Sequence, residues 1–206
     1  MAASRRRLIV AGLSLPLVAV SALMQGCERA GAPPPFKAID ITGATYAQDL
    51  DLPDTDGRRR HIAEFKGKLT VVFFGFTQCP DVCPTTMLEL AQVKQALGAD
   101  GDKVQGIFIS LDPERDTPEV LKAYVGNFSP DFIALRGTPE ETLAAAKRFK
   151  LFFAKVPGKT AGSYSLDHTA GSFVFDTQGK IRLFTRYGNG GAEALKHDLQ
   201  ILLKQA

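Results

Sequence analysis

Apolar positions along the chain follow two periods, and the changes between them mark out the elements. Lys68 to Phe76 is a compact run of β-branched and aromatic residues, the pattern of a strand buried on both faces, and Val104 to Leu111 repeats it. Between them Met87, Leu88, Leu90, Ala91 and Val93 recur at helical spacing, which predicts a helix from Pro84 through Leu97 with the proline in its first turn. Asp116-Thr117-Pro118-Glu119 opens a second helix ending near Asn127, with Thr117 as N-cap. Thr138-Pro139-Glu140-Glu141 opens a third in the same way, running to about Lys150. Ser172 to Asp176 and Lys180 to Tyr187 read as a hairpin across Thr177-Gln178-Gly179, and Ala192 to Lys204 as a closing helix. Upstream, Asp51 to Gly57 has the residues of a turn, with Asp56-Gly57 joining short strands. The order strand, helix, strand, helix, helix, hairpin, helix implies parallel pairing through right-handed crossovers.

The first 35 residues are patterned differently. Arg5, Arg6 and Arg7 precede an apolar run from Leu8 to about Met24 that Gly12, Ser14, Pro16 and Ser21 interrupt. This is the layout of a signal peptide, with a retained membrane anchor as the alternative, because the run is about as long as the shortest spanning helices. Leu23-Met24-Gln25-Gly26-Cys27 resembles a bacterial lipoprotein box, which makes Cys27 a lipidated first residue of the mature chain. Ser4-Arg5-Arg6 with Leu8 loosely resembles a twin-arginine export signal. The expected organisation is residues 1–27 as signal peptide with lipoprotein box or anchor, 28–35 as a proline-rich tether, and 36–206 as one folded domain. Removing those three arginines from a formal charge of +3 leaves the exported part neutral, without a basic surface for nucleic acid. Export to the periplasmic face of a bacterial inner membrane also sets the redox context, since an oxidising compartment closes an unprotected thiol pair into a disulfide.

The chemistry concentrates where the first buried strand meets the first helix, in Phe74-Gly75-Phe76-Thr77-Gln78-Cys79-Pro80-Asp81-Val82-Cys83-Pro84. Free backbone N–H groups and the helix dipole favour negative charge there, so a thiolate at Cys79 or Cys83 is expected to form more easily than in free cysteine, and thiolates bind soft metals. Three residues separate the cysteines, one more than in Cys-x-x-Cys redox motifs, a spacing that lets both sulfurs face one ion or close a redox-active disulfide. Two thiolates hold Cu(I), and a neutral imidazole as third ligand also accommodates Cu(II). His61 follows three arginines and His197 lies between Lys196 and Asp198 on the last helix, so both read as solvated surface residues. His168 differs: it sits in Tyr164-Ser165-Leu166-Asp167-His168-Thr169-Ala170, a small polar loop before a buried strand, from which a side chain reaches another loop of the same sheet. Structural zinc asks for a fourth ligand. The peroxiredoxin pattern Pro-x-x-x-Thr-x-x-Cys fits neither cysteine, because Thr77 stands two residues before Cys79 and six before Cys83. The residues alone leave copper binding and thiol exchange level.

The order of elements resembles a thioredoxin-like α/β fold, a three-layer sandwich with a central mixed β-sheet and flanking helices. Three stretches then resemble, in order and spacing, the Sco/SenC family of copper chaperones for cytochrome c oxidase: the cysteine segment quoted above, Ser110-Leu111-Asp112-Pro113-Glu114-Arg115-Asp116-Thr117, and Asp167-His168-Thr169. The resemblance covers about residues 45 to 204. It implies Cys79, Cys83 and His168 as ligands of one copper ion per chain, Cu(I) or Cu(II). It also implies delivery of copper to the binuclear site of oxidase subunit II, or reduction of that site's cysteines before another copper chaperone loads it, with a thiol reductant to recharge the pair. The main reading is a metallochaperone, and the alternative is a thiol-disulfide oxidoreductase. Gln78 stands where many relatives carry His, outside the ligand set. Asp112 and Asp116 are expected to bond backbone amides or Arg115 and to position their loop near the site.

Overall fold

The computed structural model describes residues 36–186 and 188–205. The signal peptide, Cys27 and the tether lie outside those residues. Among the described residues, no helix is long and apolar enough to cross a membrane.

Among the described residues, ten strands and four α-helices follow in chain order: β1 (Ile39–Asp40), β2 (Leu52–Pro53), β3 (Arg59–Arg60), β4 (Leu69–Gly75), α1 (Val82–Ala96), β5 (Val104–Ser110), α2 (Pro118–Gly126), β6 (Ile133–Leu135), α3 (Pro139–Arg148), β7 (Phe153–Pro157), β8 (Tyr164–His168), β9 (Gly171–Phe175), β10 (Ile181–Arg186) and α4 (Gly191–Lys204). Six strands form one sheet in the order β1-β10-β9-β4-β5-β6. β4 runs parallel to β5, from Leu69↔Val104 to Gly75↔Ser110, and β5 parallel to β6, whereas β9 is antiparallel to β4. The sheet is therefore mixed. Every residue of β4 and β5 is buried, as their continuous apolar runs predict.

Alternation along β4 sends its side chains to two different layers. Phe74 meets Phe149, at the end of α3, edge to face with ring centroids 4.9 Å apart, and Phe149 lies 5.0 Å from Phe173. On the other face Phe73 meets Phe108 at 6.1 Å, and a Cβ added at Gly106 would come within 3.0 Å of Leu90 on α1. Leu195 of α4 shares a small cleft on that face with Val71 and Leu90. Helices thus cover both faces, giving the expected three layers. Full burial of each large apolar side chain is worth about 1.5–3 kcal/mol, so β4 is a firmly held base for the loop that leaves its end.

The helix starts are where the caps place them. Thr117 Oγ1 accepts from Val120 N at 3.3 Å, with Pro118 in the first turn. Thr138 and Glu141 close a capping box on α3, each side chain bonding the other's backbone N–H. The helix ends at Arg148, two residues before the expected limit, because Lys150 adopts a left-handed φ of 52° and its N–H turns back to Lys147 O.

Four strands depart from the sequence reading. β6 stands between α2 and α3, three residues being too short to show a period. β1 adds an edge strand, paired with β10, just after Lys37 N and Ala38 N donate to the two oxygens of the buried Asp198 carboxylate, each at 2.8 Å. The segment Tyr164 to Ala170, read as a polar loop, contains β8, which pairs with β7 in a separate two-stranded hairpin from Phe153↔His168 to Pro157↔Tyr164. Most of that hairpin is solvent-facing, so no apolar alternation betrays it.

Candidate metal centre

β4 delivers the chain to its carboxyl end, where parallel sheets present their ligand sites. There the backbone turns, with Cys79 N donating to Phe76 O at 3.2 Å, and α1 begins at Val82. The first helical N–H groups have no partner within a helix. Asp81, at the N-cap position, makes no side-chain cap; instead Cys83 N donates to Cys79 Sγ at 3.4 Å. Half-buried Cys79 therefore stands at the helix N-terminus, and Cys83 lies beneath it, fully buried against β4. The approach depends on Gly75, where a Cβ would sit 2.9 Å from Cys83 Sγ. Both thiols are unbridged.

His168, the last residue of β8, completes the group. Its Nε2 lies 3.7 Å from Cys83 Sγ, and its ring stands edge-on to Phe73 and Phe76, each with centroids 6.1 Å away. On the opposite side Nδ1 is 3.1 Å from the backbone oxygen of Thr169. A carbonyl oxygen only accepts, so Nδ1 carries the proton and the Nε2 lone pair faces the sulfur. Burial holds the His168 imidazole below its ordinary value, which keeps the ring neutral. Burial, reinforced by the Cys79 contact, pushes the Cys83 thiol well up, contrary to the expectation of an easily formed thiolate at that position.

These atoms suit a soft ion. With bonds of about 2.3 Å to sulfur and 2.0 Å to nitrogen, atoms 3.7 Å apart subtend roughly 120° at a shared ion, a trigonal angle. Among the described residues no set of three or more Cys, His, Asp or Glu is closed at metal-holding distance. The geometry brings Cys83 to His168 and Cys79 to the Cys83 backbone.

The acids of the β5–α2 loop hold this arrangement from below. Asp116, fully buried, accepts from Thr77 N, from Thr77 Oγ1 at 2.6 Å and from Ser110 Oγ at 2.6 Å, tying the cysteine loop to β5. Burial raises its carboxyl despite those donors. Buried Asp112 accepts from the Tyr164 hydroxyl at 2.8 Å and pairs with Arg115. Sequence reasoning gave both acids a positioning part but missed Thr77, Ser110 and Tyr164 as their partners; no local pattern marks those hydroxyls. His61 is open to solvent as expected, near Asp49 and Asp51. His197 is not fully solvated: the side chain is half-buried and its Nε2 is enclosed, with no hydrogen-bond partner among the described residues.

The chain as a whole resembles known proteins of one family. The family model described as SCO1/SenC matches residues 40–204. A SCO2-like protein of Rickettsia felis is 38% identical over 133 residues, covering 64% of this chain and 65% of the relative. The chain thus spans slightly less than two-thirds of that relative's length. Among solved structures, ScoI of Bradyrhizobium japonicum with copper bound is 39% identical with a TM-score of 0.66, covering 75% of this chain and 97% of that one. Apo Sco1 of Thermus thermophilus is 36% identical with a TM-score of 0.70, covering 84% and 99%.

Proposed function

The chain belongs to the SCO1/SenC family, and from that premise we propose that it carries one copper ion between Cys79, Cys83 and His168 and assists maturation of the binuclear copper site of cytochrome c oxidase subunit II. The observation that carries this reading is the 3.7 Å approach of His168 Nε2 to Cys83 Sγ, with the opposite ring nitrogen fixed by Thr169 O. A merely structural histidine would spend its free nitrogen on a backbone or solvent partner. This one turns its lone pair to a thiol in a half-buried pocket, beside a second thiol. The copper bound to Bradyrhizobium ScoI supports the choice of ion. Thiolate and imidazole together hold either oxidation state. In this reading Cys27 carries the lipid that keeps the domain at the periplasmic face of the inner membrane, within reach of the oxidase.

The test is anaerobic copper titration of the reduced full chain carrying Cys27→Ser, in detergent, against a competing chelator. One tightly held ion is expected, lost in Cys79→Ser and weakened for Cu(II) at least tenfold in His168→Ala. Unchanged Cu(II) affinity in His168→Ala sinks the three-ligand site.

A thiol-disulfide oxidoreductase remains the second reading because Cys79 is half-buried while Cys83 is fully buried, the usual layout of an attacking and a resolving thiol. It requires reduction of an oxidised copper-site peptide by the metal-free pair. No exchange at any redox poise removes it.

A further inference from the structure

We propose that Arg115 is a positioning residue for this centre: it touches none of the three proposed ligands, yet it joins the loop that carries Cys79 to the hairpin that carries His168. The proposal rests on the three-ligand reading above. Arg115 Nη1 donates to Gln78 Oε1 at 2.9 Å, one residue before Cys79, and to the backbone oxygen of Tyr164, also at 2.9 Å. Tyr164 opens β8, and His168 ends it. The guanidinium lies 3.7 Å over the Tyr164 ring, while its Nε donates to Asp112, whose other oxygen takes the Tyr164 hydroxyl. Lys155, on the paired strand β7, adds a second cation 4.6 Å from that ring and an ion pair with Glu114. Arg115 is therefore the crosspiece among the cysteine loop, the β5–α2 loop and the hairpin.

The hairpin needs such a crosspiece. Among the described residues its strands pair only with each other, and an isolated two-stranded ribbon is marginal in water. Leu166 is its one deeply buried side chain, and the bonds between Phe152 and Thr169 close its base. At the Tyr164 end it is held by the Arg115 and Asp112 contacts, with the solvent-exposed Lys155–Glu114 pair adding little. Without them β8 is free to rock about Leu166, and His168 swings with it. Two thiolates hold Cu(I) without the imidazole, so the loss should fall on Cu(II). Lysine keeps the charge but has neither the planar fork nor the stack.

The experiment measures Cu(I) and Cu(II) affinities of the full chain carrying Cys27→Ser, in detergent, for the parent, Arg115→Lys, His168→Ala and the double variant. Groups that orient a metal ligand typically change affinity about 10–100-fold. Arg115→Lys is expected to lose that much for Cu(II), keep Cu(I) within about threefold, and add nothing further for Cu(II) in the His168→Ala background. Amide exchange across residues 153–168 of the metal-free variant is expected to quicken. Parental Cu(II) affinity in Arg115→Lys overturns the proposal, as does an equal loss for both oxidation states that persists in the His168→Ala background. Should Arg115→Lys fail to fold, Tyr164→Leu, which removes the stack and the Asp112 bond, puts the same question. Failure of the underlying ligand set shows separately, as parental Cu(II) affinity in His168→Ala alone, and takes this proposal down with it.

Discussion

At Cys83 two requirements oppose each other. The sulfur that faces His168 is buried deeply enough to hold its proton at neutral pH, whereas a metal binds the thiolate. Copper uptake must therefore release that proton, and the sign follows: lower proton activity favours binding. Each thiol that binds as thiolate releases one proton, and each such proton corresponds to about a tenfold gain in apparent affinity per pH unit below that thiol's own value. His168 adds no opposing slope above its ordinary value of 6.5, because burial already keeps it neutral there. Competition titrations at two pH values between 6.5 and 8 should thus show tighter binding at the higher, with acid released into a weakly buffered solution. A flat profile would mean that Cys83 does not bind as thiolate.

Among the elements, α1 lies tightly against β4, and the contact passes through Gly75. A Cβ there would stand 2.8 Å from the Phe73 ring, 2.9 Å from Cys83 Sγ and 3.0 Å from the Phe108 ring, with no slack on any side. Gly75→Ala is expected to destabilise the domain by about 1–3 kcal/mol, seen as a lowered Tm, and to weaken copper binding by displacing Cys83. The contrast between this helix and the β7–β8 hairpin explains what the sequence disclosed. β4, β5 and α1 are sorted by burial, so their apolar spacing is legible, and the cysteines between them inherit that clarity. The hairpin is fixed by a cation, a ring and a carboxylate drawn from three separate segments, which local spacing does not encode. His168 could be singled out by its neighbours Asp167 and Thr169 and by family resemblance, but its place at a strand end could not.

Over the whole molecule, the site is gathered from positions 79 to 168, and the sheet that gathers it is finished by its least conspicuous strand. β1 is two residues long and exposed, yet the chain entering it occupies both oxygens of a carboxylate buried on α4. A fragment beginning at Ile41 keeps every proposed ligand but leaves Asp198 without Lys37 and Ala38. An abandoned buried acceptor costs about 1–3 kcal/mol, more when charged, which denaturant unfolding of the two lengths would register. The same cut bares the outer backbone of β10 around Leu183 and Phe184, turning a sealed margin into a sticky one. Light scattering should find such a fragment self-associating as its concentration rises, so two inconspicuous residues at the rim act as the guard against the protein's adhesion to copies of itself.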